Sequence, residues 1–95
     1  MTDEQLRQQE QARASQAEQV LKNPLVMEVL DRLEKDIINT WEVTPMRDME
    51  AREKAWLWFV TVRKFRNTFL GFIETGKLAS VQLEEKRRFK LFGGR

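Results

Sequence analysis

The sequence contains no cysteine and no histidine among its 95 residues. Disulfides, cysteine nucleophiles, the common zinc sites and histidine acid–base chemistry are thereby excluded. Such a chain suits a reduced or redox-indifferent compartment, and a cytoplasmic location is expected. Glycine is sparse and scattered: Gly71, Gly76, Gly93 and Gly94 cannot build a phosphate-cradling loop. The first twenty residues are polar and no apolar run is long enough to span a bilayer, so neither a signal peptide nor a membrane segment is expected. Asp31, Glu34, Asp36, Asp48, Glu50 and Glu53 match no ligand or acid–base pattern and are expected on solvated faces. No catalytic residue, metal or cofactor is expected.

What the chain does have is charge, unevenly placed. Residues 1–45 carry a net charge of −4 and residues 46–95 a net charge of +6. That asymmetry suits a polyanion at the basic end, contact between oppositely charged ends of two subunits, or simply a solvated helical surface. At this length a single small domain is expected, residues 1–95, near the lower limit for a self-sustaining core.

Residues 1–22 are rich in Gln, Glu, Arg and Ala, good helix formers with a thin apolar stripe. A helix over Glu4–Lys22 is expected, capped by Thr2 and held only if it docks. Asn23-Pro24 is a strong start signal, because Asn accepts from free N–H groups and Pro at the first position loses no bond. The helix it opens runs to about Trp41, with Val26, Val29, Leu30, Leu33, Ile37, Ile38 and Trp41 at three- and four-residue steps. Asp31 and Lys35 are spaced to pair on its outer face. Thr44-Pro45 repeats the start signal and opens a long helix, Met46 to Thr75, which Gly76 is expected to stop. A short connection makes the two helices an antiparallel hairpin over residues 24–76. A further short helix from Lys77 to about Arg88 and a mobile basic tail complete residues 77–95. The fold class is all-α: a helical hairpin with one long helix, an N-terminal helix over residues 1–23, and a C-terminal helix and tail.

Length bears on association. Thirty helical residues span roughly 45 Å and Pro24–Trp41 roughly 27 Å, so the long helix overhangs from near Arg63. Ala55, Phe59, Val62, Arg66, Phe69, Ile73 and Gly76 form a heptad-like seam interrupted by Arg66. Phe65, Phe69, Phe72 and Ile73 on the overhang are candidates for a homo-oligomer interface, since the N-terminal helix looks too polar to cover them. The hairpin core is expected to hold Val26, Leu30, Leu33, Ile37, Trp41, Trp56, Phe59 and Val60. Trp58 lies about 200° round the helix from Trp56 and must face elsewhere.

Arg63, Lys64, Arg66, Lys77, Lys86, Arg87, Arg88 and Lys90 are the candidate nucleic-acid contacts, interleaved with aromatic residues able to stack on bases. Phe89, Leu91 and Phe92 make a candidate partner-docking tail. Asn23-Pro24-Leu25, Trp41, Thr44-Pro45, Arg47-Asp48, Arg52-Glu53, Trp56 and Glu74-Thr75-Gly76-Lys77-Leu78 together resemble short helical proteins of the packaging and head genes of tailed bacteriophages. Compact small terminase subunits are the nearest functional type. The resemblance implies a non-enzymatic, ring-forming subunit that contacts double-stranded DNA and hands it to a large terminase subunit. The chain departs from many such proteins in having no evident N-terminal helix-turn-helix. The competing expectation is a structural or adaptor protein of the virion, or of host takeover, with no DNA role.

Overall fold

The computed structural model describes residues 1–93, and each helix can be traced to the residues that start it. Thr2 opens α1 (Asp3–Lys22): its Oγ1 accepts from the Gln5 amide at 3.2 Å while its own amide donates to Gln5 Oε1 at 2.9 Å. This is a reciprocal capping box. Asn23 opens α2 (Pro24–Val43), its side-chain oxygen accepting from the amides of Leu25 at 2.9 Å and Val26 at 3.3 Å. Thr44 ends α2 in extended backbone, its amide turned back to the carbonyls of Thr40 and Trp41. Three α-helices and no strand are present among the described residues, so the chain is all-α.

The third helix departs from expectation at both ends. Pro45 starts a turn, closed by the Asp48 amide on the Pro45 carbonyl at 3.0 Å, and α3 (Met49–Arg88) begins after Asp48. Asp48 Oδ1 accepts from the Ala51 amide at 3.2 Å, so the cap lies four residues beyond Thr44. Gly76 does not stop the helix. No glycine among the described residues has positive φ, and α3 runs on as one element of 40 residues into a π-helical turn, Phe89–Gly93. The separate helix expected from Lys77 is therefore the last part of α3. The tail expected to be mobile is helical through Gly93, and Gly94 and Arg95 lie outside the described residues.

The chain forms two compact units, one of residues 21–68 and one of residues 1–20 with 69–95. In the first, the twenty residues of α2 match the first twenty of α3, because α2 extends to Val43 and α3 begins at Met49. The overhang thus begins at Phe69, not near Arg63. Leu30 and Ala55 are its buried residues, while Val26, Ile37, Phe59 and Val62 are half-buried. Small Ala55 takes the contact position on α3, with Trp56 beside it. Trp56 is 59% exposed, and Leu33, Trp41 and Val60 are exposed as well. Half of the expected hairpin core therefore sits on its rim.

In the second unit α1 lies antiparallel to Phe69–Arg88. Lys86 Nζ is 3.7 Å from Glu4 Oε2, Gln11 Nε2 donates to Ser80 Oγ at 2.7 Å, and the Arg13 guanidinium stands 4.5 Å over the Phe72 ring. Gly76 meets Ala14 so closely that a Cβ there would overlap the alanine methyl and sit 3.1 Å from the Glu10 carbonyl. Ala17 and Ala79 are buried. Close approach between small residues, capped by an arginine on an aromatic ring, explains how so polar a helix docks.

Candidate assembly surfaces and basic groove

The 4-3 seam read in the sequence is the face that α3 turns to its own chain. Ala55, Phe59, Val62 and Arg66 meet α2, and Ile73 and Gly76 meet α1. Phe69, Phe72 and Ile73 are half-buried. α1 does not leave them all bare: the Arg13 guanidinium stands over the Phe72 ring, and Ala14 lies with Ile73 beside Gly76. Phe65 is within reach of α2, where it borders a hollow with Leu25, Val26 and Val29.

Arg66 interrupts the seam because it is half of an ion-pair cluster. Its Nη2 lies 2.9 Å from Asp31 Oδ1 and 3.3 Å from Glu34 Oε1. Arg63 Nε is 4.0 Å from Glu34 Oε2, and its guanidinium stands 5.0 Å from the Phe59 ring centre. Glu34 Oε1 is buried and, although close to Arg66, lacks hydrogen-bond geometry; Arg66 Nε is likewise buried and unbonded. Glu34 is thus half-buried at the helix contact, not on a solvated face. Asp31 pairs across the hairpin with Arg66, where the sequence suggested Lys35. Glu34 follows Leu30 by four residues, on the apolar row of α2, while Arg66 breaks the row of α3. Opposite charges that interrupt facing apolar rows of a hairpin are the signal that would have found this cluster. At the turn, Arg52 Nη1 donates to the carbonyls of Trp41 at 3.3 Å and Thr44 at 2.9 Å, with its guanidinium 4.1 Å from the Trp41 ring centre.

Of the eight candidate nucleic-acid residues, Arg63 and Arg66 are therefore held by carboxylates of α2. Lys64 is exposed on the hairpin unit. In the other unit, Lys86, Arg87 and Lys90 come together along a groove of about 390 Å³ whose opposite wall is Glu4, Gln8 and Gln11 of α1. Lys77 lies outside that groove, beside Gly76 and Glu18. Arg88 Nη2 is 3.6 Å from Glu84 Oε1. Three cations beside amide and hydroxyl groups can hold a phosphate backbone, although Glu4 and Glu84 share the groove. Phe89 and Leu91 of the expected docking tail are exposed on the π-helical turn, and the Phe92 side chain lies outside the described residues.

The hairpin unit carries two apolar hollows. One, of about 220 Å³, is bordered by Ile37, Ile38, Trp41, Ala55, Trp56 and Phe59. The other, of about 500 Å³, is bordered by Leu25, Val26, Val29, Leu33, Val62 and Phe65 among others. Trp56 and Phe59 stack at 6.2 Å between ring centres, yet Trp56, Leu57 and Trp58 are each more than half exposed. Among the described residues no group of three or more carboxylates is placed to hold a metal, and no helix is long and apolar enough to cross a membrane.

Comparison of the chain with protein-family models, curated proteins and solved structures finds no match.

Proposed function

We propose that this chain is a non-enzymatic helical subunit that works by assembling with copies of itself. The observation that carries the proposal is the hairpin's exposed apolar surface: Trp41, Trp56, Leu57, Trp58, Val60 and Phe65 are each 41–65% exposed, while Leu30 and Ala55 are its buried residues. Apolar surface gathered around two hollows, one bordered by Trp41 and Trp56 and one by Val29 and Phe65, is the kind that usually marks an interaction site. Together with the sequence resemblance, this supports a small-terminase-like role in packaging DNA for a tailed bacteriophage, in the cytoplasm of the host cell. In that role the hairpin assembles, while the groove of Lys86, Arg87 and Lys90 meets double-stranded DNA, or the tail at Phe89 and Leu91 meets a large terminase subunit.

A second reading is an adaptor or structural protein without a DNA role. It is favoured by the pairing of Arg63 and Arg66 with Asp31 and Glu34, which removes two central cations from the phosphate-binding set. Sedimentation of the purified protein and fluorescence anisotropy with duplex DNA over a salt series separate the possibilities. The packaging role requires self-association and an affinity that falls steeply with salt. Self-association without DNA binding leaves the adaptor role, and a monomer at tens of micromolar sinks the assembly proposal.

A further inference from the structure

Resting on the reading of this chain as one that contacts DNA, we infer that the hairpin contains a masked phosphate contact: Glu34 of α2 holds Arg63 of α3 back from DNA, and neutralising Glu34 frees Arg63 to meet a phosphate. Asp31 and Glu34 bring two negative charges to one place, and Arg63 and Arg66 bring two positive ones. The cluster as a whole is neutral, so it presents no net charge to a polyanion.

The two arginines are not held alike. Arg66 has 26% of its side chain exposed and meets both carboxylates, at 2.9 and 3.3 Å. Arg63 is 57% exposed and reaches a single oxygen of Glu34, at 4.0 Å. An exposed pair at that separation is weak and readily screened by salt. Arg66 is therefore the fixed member of the cluster. Arg63, its guanidinium 5.0 Å from the Phe59 ring centre, is the exchangeable one.

A guanidinium suits a phosphate as it suits a carboxylate, through paired N–H donors. Asn67 is exposed one turn beyond Arg63 on the same side of α3, and its amide is a further donor to phosphate oxygen. What opposes a phosphate at this place is the Glu34 carboxylate. It is held there by packing, with Oε1 buried at the helix contact and Arg66 beside it. The masking therefore belongs to the hairpin and not to a freely turning side chain. Whatever neutralises or withdraws Glu34 adds one cation to the DNA-contacting set while Lys86, Arg87 and Lys90 stay as they are.

The experiment is fluorescence anisotropy of the full chain with duplex DNA over a salt series, for the wild type, Glu34→Gln, Arg63→Ala and the double variant. Glu34→Gln is expected to steepen the log–log slope by about 0.9, the effect of one added phosphate contact. Arg63→Ala is expected to leave the wild-type slope unchanged and to restore it in the Glu34→Gln background. Glu42→Gln removes an equal charge from an exposed site eight residues further along α2, and is expected to keep the wild-type slope. Circular dichroism checks folding. Asp31→Asn, which leaves Arg66 to Glu34 alone and so loosens the hold on Arg63, replaces Glu34→Gln if that variant does not fold. Three results overturn the masking while the DNA reading stands: a Glu34→Gln slope equal to the wild type's, a steepening matched by Glu42→Gln, or one that persists without Arg63. A wild-type slope lowered by Arg63→Ala also overturns it, since Arg63 would then already be on phosphate. Absence of DNA binding by the wild type and Glu34→Gln alike overturns the DNA reading itself.

Discussion

Gly71 and Gly76 show how far one residue's role depends on what faces it. Both lie inside α3 with ordinary helical backbone. A methyl group added at Gly71 meets nothing within 4 Å, whereas at Gly76 it collides with Ala14. Gly71→Ala is expected to stabilise the chain by about 0.5–1 kcal/mol, the helix-propensity difference between the two residues. Gly76→Ala is expected to destabilise it by about 1–3 kcal/mol, the usual range for overpacking a close contact. Urea titration of the two variants checks the pair, and a stabilising Gly76→Ala would mean that α1 does not pack there. The eight cations are likewise told apart by their neighbours. In a salt titration of DNA affinity, replacing Arg87 or Lys90 by alanine is expected to reduce the log–log slope by about 0.9 each, and replacing Lys86, which pairs with Glu4, by less. Arg63→Ala and Arg66→Ala are expected to leave the slope unchanged, with Arg66→Ala lowering thermal stability because it strands Glu34 at the helix contact. A slope lowered by Arg66→Ala at unchanged stability would show that phosphate, not Glu34, is its partner.

At the scale of the elements, what was legible in the sequence is what short-range physics controls. Asn23-Pro24 marked the start of α2 because a cap is complete within four residues, and the 4-3 spacing from Ala55 to Gly76 marked an apolar face of α3 because periodicity follows from helical geometry, although it pointed to a second subunit and not to α1 and α2 as the cover. What was not legible depended on how near another helix comes. Thr44-Pro45 has the pattern of a helix start, yet the turn closed on Pro45 moves the cap four residues on to Asp48. Gly76 satisfies the sequence pattern of a helix stop and also that of a close helix crossing, and only Ala14 opposite it selects the second. Trp56 looked like core because large aromatics usually are, yet Ala55 beside it takes the contact. Asp48→Ala is expected to cost about 0.5–2 kcal/mol, the range for a lost N-cap. Leu30→Ala, at a site 5% exposed, is expected to cost about 2–5 kcal/mol, whereas Leu33→Ala, 44% exposed, should fall below that range in the dissociated chain. Denaturant titration at low protein concentration ranks the three, and a Leu33→Ala loss as large as that of Leu30→Ala would place Leu33 inside the hairpin after all.

For the molecule as a whole, the buried apolar residues among those described are Ala17, Leu30, Ala55 and Ala79, none larger than leucine. A chain of this size is marginal even with a full core, because conformational entropy nearly cancels what burial contributes. The apolar surface left at the hairpin rim is then the main reserve of stabilisation, and it is reached only by association. Folding and assembly are linked in such a case: whatever binds the folded form and not the unfolded one raises the midpoint of unfolding with concentration. The melting temperature of the wild type is expected to rise over two decades of protein concentration around the micromolar range, where each tenfold step corresponds to about 1.4 kcal/mol of association free energy. Trp56→Glu is expected to flatten that dependence and to leave the melting temperature at the wild type's dilute limit, because the substitution acts on the exposed rim and not on Leu30 or Ala55. Calorimetry at several concentrations distinguishes the cases. A wild-type melting temperature that does not move with concentration would show that the hairpin is stable with its indoles in water, and the surface would then have to await a different protein, not a second copy of this chain.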